Sequence, residues 1–263
     1  ALKVKGLMNV QLAVQHAYSE NPKVYILEVN PRASRTVPFV CKATGEPLAK
    51  IAARVMVGQT MKQQGVKVEV TPKYMCVKEA VFPFTKFLGV DPVLGPEMRS
   101  TGEVMGVGAS FGEALYKAEL GAGDRLPEKG TAFISVRDVD KARAVSVATH
   151  LRDQGFNIVA TRGTAALLQH AAIPCRVVNK VSEGRPNVVD MIKNGDVQLV
   201  IATADESRTQ ISDARQIRQT ALAQLGVVYY TTISGAAAAV EGQKHAKDVE
   251  VRSLQELHAM NRA

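Results

Sequence analysis

The chain has 263 residues and a mass of 28.3 kDa, and it is 46% hydrophobic and 22% charged. That balance argues against a wholly disordered chain, a collagen or a coiled coil, and no apolar run approaches the roughly 18 residues of a membrane span. The formal charge of +8 is spread evenly, with 17 basic against 12 acidic residues in 1–129 and 16 against 13 in 130–263. A nucleic-acid footprint would be clustered and interleaved with aromatics, but Trp is absent and aromatics are 5%, so a solvated surface with some preference for small anions is expected. Cys41, Cys76 and Cys175 lie far apart with no CxxC, which fits a reducing cytosol and neither a disulfide framework nor a zinc ribbon. No secretory leader is visible. The chain opens without Met on ALKVKGLMNVQLAV, which reads as a strand in mid-fold, so a piece of something longer is expected.

In chain order, residues 6–14 and 24–29 read as strands joined by a hairpin loop. A helix follows, with Pro47 in its first turn, Leu48, Ile51, Ala52, Val55 and Met56 at helical spacing, and Gly58 as its stop. Between 73 and 120 the pattern gives only a strand at 78–82 and a helix at 110–120. Residues 121–130 (GAGDRLPEKG) read as a linker. Beyond it strand and helix alternate. Strands are expected at 131–136, 156–161, 174–178, 197–203 and 227–232, and helices at 139–153, 164–171, 186–193, 208–225 and 235–243. Apolar, β-branched strands in βαβα order imply a doubly wound parallel sheet with right-handed crossovers. Its ligands would sit at the carboxyl ends of the strands, which puts Thr161, Gly163, Thr164, Thr203, Thr231 and Thr232 around one expected crevice.

Two groups of residues carry chemistry. The strand at 24–29 runs into ILEVNPRASRT. Glu28 and Asn30 are two apart and leave the same face, and both offer the hard oxygen ligands that Mg²⁺ or Mn²⁺ prefers. Pro31 takes the chain out of the sheet, and Arg32 and Arg35 follow with guanidinium groups suited to phosphoryl oxygens. Gln11 on the partner strand could add a third oxygen. Oxygen ligands followed at once by two arginines suit phosphoryl transfer. An edge-strand Glu, an Asn-Pro turn and two solvated arginines would account for each residue singly, less well for all four in order. In the second group, Thr161-Arg162-Gly163-Thr164 ends a strand and opens a helix, so backbone N–H groups and two hydroxyls could hold an anion, with Lys180 adding charge. An ordinary βα turn capped by Thr164 accounts for the same segment equally well.

The run GLMNVQ…ILEVNPRASRTVPFVCKATGEPLAKIAARVMVG, continued by VKEAVFPFTKF, LGVDPVLGPEMRSTGEVMGVG, ISVRDVDK, NKVSEGRP and IKNGD, closely resembles the carbamoyl-phosphate synthase large subunit family over nearly the whole chain. The resemblance implies a partial ATP-grasp lobe (α+β) in 1–123, followed by a doubly wound, methylglyoxal-synthase-like regulatory domain in 124–263. It implies that Gln11, Glu28 and Asn30 are ligands of two Mg²⁺ or Mn²⁺ ions, that Arg32 and Arg35 line the same ATP-dependent, carbamate-phosphorylating site, and that a loop longer than the family's joins Gln11 to Glu28. It further implies that Ser135, Lys141, Thr161, Thr164 and Lys180 contact a regulatory nucleoside monophosphate, and that Glu79 and Thr231, with Tyr229 nearby, contact an ornithine-type effector.

A glutaminase small subunit, oligomerisation of the full-length enzyme and a cytoplasmic location complete what the resemblance implies. The arginine and pyrimidine pathways both stay open. With no second ATP-grasp lobe visible, the 263-residue chain is expected to be catalytically silent alone. The segment Ala202–Arg208 departs from the family pattern and brings Asp205 and Glu206, so weakened or altered nucleotide control is expected. A stand-alone anion-binding module is the alternative. A methylglyoxal-synthase-type lyase is disfavoured, because Glu183-Gly184-Arg185-Pro186-Asn187 stands where that chemistry needs a carboxylate base after a Gly-Gly-Asp type turn.

Overall fold

In a computed structural model that describes residues 2–66, 69–87, 90–95, 97–203, 208–224, 226–247 and 249–262, the first alternating stretch pairs into an antiparallel hairpin. Strand β1 (Asn9–Gln15) runs against β2 (Lys23–Asn30), with Gln11 opposite Glu28, Asn9 opposite Asn30, and a register shift between Gln11 and Leu12. One face of the pair is apolar, with Val10, Leu12 and Val14 opposite Val29, Ile26 and Val24, and it is open: Leu12 is 54% and Ile26 69% exposed. Helix α1 (Thr36–Thr44) ends at Gly45, whose φ of 80° is a left-handed cap that returns its N–H to Cys41 O. Helix α2 (Leu48–Met56) begins directly after Pro47, as its spacing requires.

The chain packs as two compact units, residues 1–73 with 250–263, and residues 74–249. The first unit is completed by the last helix of the chain, Leu254–Arg262, introduced at its end by a reciprocal cap in which Ser253 N–H donates to Glu256 Oε2 (2.7 Å) and Glu256 N–H to Ser253 Oγ (3.2 Å). This helix lies on α1, where His258 Nε2 meets Lys42 O at 2.7 Å.

In the second unit β3 (Met75–Val81) and β4 (Gly102–Gly108) form an antiparallel pair. Helix α3 (Phe111–Ala122) is capped by Ser110, which accepts from Glu113 N–H, and lies on that pair. The approach is close because β4 carries glycine at the contact: a Cβ on Gly106 would stand 1.8 Å from Ala114 O. Then come β5 (Thr131–Ser135), α4 (Lys141–Asp153), β6 (Asn157–Thr161), α5 (Arg162–His170), β7 (Arg176–Val178), α6 (Val188–Lys193), β8 (Leu199–Ala202), α7 (Arg208–Ala223), β9 (Val228–Tyr230) and α8 (Ile233–Gln243). With these numbered, the C-terminal helix Leu254–Arg262 is α9.

The five strands β5–β9 form one parallel sheet in the order β7-β6-β5-β8-β9. Apolar side chains fill both faces. Ile134, Ala160 and Ile201 belong to the cluster packed with α4, α5 and α8, and Phe133, Val159 and Val200 to the cluster packed with α6 and α7. The order reverses at β5, so the crevice outside the ends of β5 and its neighbours is the ligand position of such a sheet.

The expected α/β alternation from 131 onwards is present, with shorter strands than the apolar runs suggested. Helix α1, strand β4 and helix α9 were not anticipated. The stretch 121–130 is not a solvated linker: α3 runs through Gly121, Gly123 caps it, and Leu126 is buried in the sheet's core. Residues 74–122 pack in the same compact unit as the parallel sheet, because α3 touches both β3–β4 and α8.

Candidate functional site

The hairpin presents one polar face. Residues directly opposite in an antiparallel pair project to the same side, as do residues two apart in one strand. Asn9, Gln11, Glu28 and Asn30 therefore share a face, and Asn30 Nδ2 donates to Glu28 Oε1 at 2.8 Å. The carboxylate and the amide converge as the sequence required, and Asn9 joins them unanticipated. Pairing of the two strands was the signal that could have found it. Glu28 and Gln11 are exposed, Asn30 half-buried. Arg32 and Arg35 follow β2 and are exposed, with Arg32 Nη1 donating to Ala33 O at 3.4 Å. A donor set of one carboxylate and amide oxygens, with no sulfur or imidazole, fits a hard divalent cation.

The second site lies at the carboxyl ends of β5, β6 and β8. All five residues expected at a nucleotide site, Ser135, Lys141, Thr161, Thr164 and Lys180, line one cavity of about 170 Å³. Its wall is a lattice of hydroxyls. Ser135 Oγ and Thr161 Oγ1 are 3.1 Å apart, Val136 N–H donates to Thr164 Oγ1 (3.2 Å), and Arg137 N–H donates to Thr203 Oγ1 (3.0 Å). Thr161 and Thr164 are buried. Thr164 is not the helix cap: α5 starts one residue after Thr161, whose extended backbone makes it the N-cap, and Thr164 instead serves the β5 exit. Lys141 Nζ stands over that first turn, 3.9 Å from where a Cβ on Gly163 would lie.

Three acidic or basic residues of the cavity wall were not singled out from the sequence. Asp138 accepts from Lys141 Nζ at 2.7 Å, and that bond, with the nearby charge of Lys180, holds its carboxyl below the usual range. Asp213 on α7 accepts from Ser182 Oγ at 2.7 Å. Arg137 pairs with Asp140 at 2.7 Å. The i, i+3 spacing of Asp138 and Lys141 was the legible signal. Of the altered segment, residues 204–207, with Asp205 and Glu206, lie outside the described residues. Glu183 is turned to accept from Lys180 N–H (2.8 Å), so the carboxylate of that loop caps the backbone.

Thr231 and Thr232 do not join this crevice. They line a separate, larger cavity of about 1240 Å³, because β9 is the edge strand, one place beyond β8. Glu79, Thr231 and Tyr229 line it together. Glu119 was missed. It is buried on α3, takes a hydrogen bond from Tyr230 Oη at 3.1 Å, and is pushed up to about 7 by burial, against that bond and with the like charge of Glu79 and Asp124. Glu79 is raised too, by burial first. A Glu one helical turn after Leu115, among Ala114 and Ala118, was the available signal. Helix α7 is a wall of both cavities: Asp213, Ala214 and Ile217 face the smaller, Ile211, Arg218 and Leu222 the larger. Arg218 is buried and clamps Asp91 through two bonds of 3.0 Å.

The chain was compared with known protein families and proteins. Residues 1–64 match the carbamoyl-phosphate synthase L chain ATP binding domain, and residues 143–231 the MGS-like domain. The chain is 63% identical over 98% of its length to the carbamoyl phosphate synthase large chain of Ralstonia nicotianae, 55% to that of Pasteurella multocida and 56% to that of Neisseria meningitidis serogroup A, again over 98% of this chain. It spans 24% of the length of each of these relatives. Among the described residues no helix is long and apolar enough to cross a membrane.

Proposed function

The chain belongs to the carbamoyl phosphate synthase large-chain family, and from that premise we propose that it is the part of such an enzyme that carries one wall of an ATP-dependent, carbamate-phosphorylating site together with a regulatory domain. The observation that carries the reading is the shared polar face of the hairpin, where Gln11, Glu28 and Asn30 converge one residue before Pro31 and Arg32. These three residues would hold the divalent cations. Bound there, Mg²⁺ or Mn²⁺ would neutralise charge on the nucleotide phosphates. Arg32 and Arg35 supply guanidinium groups to the transferred phosphoryl group, whose charge grows on its equatorial oxygens.

The open apolar face of β1–β2 supports a hairpin that is one edge of a larger site, since a contiguous exposed apolar face is one that another element covers. The chain alone is therefore expected to be silent in catalysis. The partner implied for the whole enzyme is a glutaminase small subunit that supplies ammonia.

In the parallel-sheet domain, residues 124–263, the cavity of Ser135, Lys141, Thr161, Thr164 and Lys180 takes the phosphate of a regulatory nucleoside monophosphate. The first-turn N–H groups of α5 and the two ammonium groups supply what a dianion needs. Glu79 and Thr231 take the ammonium end of an ornithine-type effector.

The test is carbamoyl phosphate formation from ATP, bicarbonate and ammonia. A complete large chain containing this segment should lose at least about 100-fold in rate on Glu28→Gln, while this chain by itself should give none. Robust synthesis by the 263-residue chain, or an unaffected Glu28→Gln enzyme, would overturn the reading.

A further inference from the structure

We propose that Asp138 is a built-in stand-in for the ligand's phosphate, setting the affinity of the small cavity by occupying Lys141 when no anion is bound. The inference rests on the reading of that cavity as an anion site. Three observations carry it. Asp138 Oδ1 sits 2.7 Å from Lys141 Nζ, at the cavity mouth, and both residues line the cavity. The Asp138 side chain is 90% exposed, so no packing fixes it there. Lys141 is the cation that stands over the first turn of α5, where an incoming dianion meets the backbone N–H groups.

An exposed i, i+3 carboxylate–ammonium pair is weak and readily exchanged. A phosphate monoester brings more charge and more acceptor oxygens to the same ammonium group, and the hydroxyls of Ser135, Thr161 and Thr164 add donors that a carboxylate held on the Asp138–Asp140 turn does not use. The ligand therefore displaces Asp138 from Lys141. Asp138 acts as a specificity-determining residue: it discriminates against singly charged anions, which gain too little to displace it, and in favour of dianions.

The experiment is a double-mutant cycle on the full 263-residue chain, with uridine 5′-monophosphate as the probe and calorimetry at low, fixed ionic strength as the readout. Asp138→Asn should bind the probe about 3- to 10-fold tighter than the parent chain, from loss of the pair that competes for Lys141. Lys141→Ala should bind it more weakly. The double variant should bind no tighter than Lys141→Ala, since the stand-in works through Lys141. If the parent chain binds the probe and Asp138→Asn binds no tighter, the inference fails and the site reading stands. If the gain persists without Lys141, the effect is bulk charge and the inference fails equally. If the parent chain does not bind the probe at all, the site reading fails and takes the inference with it.

Discussion

The β1–β2 hairpin and the five-stranded parallel sheet both carry candidate site residues at strand ends, but they hold them by different means. In the parallel sheet the side chains around the site are locked: Ile134 and Ile201 are fully buried, and the site hydroxyls bond to backbone and to one another. In the hairpin the backbone ladder and the Asn30–Glu28 hydrogen bond fix the residues, and Ile26, two places before Glu28, is 69% exposed. A doubly covered sheet presents a finished binding surface within one segment of chain. A two-stranded ribbon presents the right residues in the right register but takes its rigidity from whatever covers it. On the proposed reading, the regulatory chemistry would be self-contained and the catalytic chemistry shared.

The sharpest way to break this contrast is a matched substitution. Ile201→Ala, in the centre of β8, should cost about 3–5 kcal/mol by leaving a cavity, and chemical denaturation would show it. A cost below about 1 kcal/mol would mean the sheet is not the rigid partner.

A pH series on Glu119→Gln follows. The folded-state value of about 7 lies above the ordinary 4.5. The stability tied to the protonated carboxyl is therefore fully present below about pH 4.5 and lost as pH rises through about 7. Glutamine keeps an acceptor for Tyr230 and cannot ionise. The variant should match the parent near pH 5 and exceed it at pH 8 by on the order of 2–3 kcal/mol. Parallel melting curves across that range would remove the buried-carboxylate account.

Next, Thr164→Val leaves the Val136 N–H without its acceptor and should cost about 1–2 kcal/mol, read from the denaturation midpoint. It should also weaken phosphate binding; unchanged binding would separate the hydroxyl lattice from the ligand. Last, Ile26→Ala on the open hairpin should change stability by no more than about 0.5 kcal/mol. A loss as large as that of Ile201→Ala would show the hairpin to be packed after all.

Much of this was legible in the chain. The sheet announces itself because β5, β6 and β8 are apolar on both faces, a pattern no exposed strand sustains. Glu28 and Asn30 were legible because strand geometry alone puts them on one side. What escaped depended on partners remote in sequence. Strand β4 is GEVMGVG, a glycine-rich run of low strand propensity, and only the close approach of α3 explains its glycines. Helix α9 shows its face only when α1 is known to lie against it. Glu119 is held by Tyr230, 111 residues onward, a partner that no local pattern encodes. The division of one expected crevice into two cavities follows from strand order, which no local pattern encodes.

Helix α7 stands as a party wall. Its Asp213 side faces the chamber of hydroxyls and lysines, and its Arg218 side, pinned to Asp91, faces the chamber of carboxylates and tyrosines. Such a helix has one seat. An occupant of either room that tilts or slides it redraws the other room as well, so two chemically unlike molecules, an anion and a cation, would negotiate over the position of a single rod without ever touching.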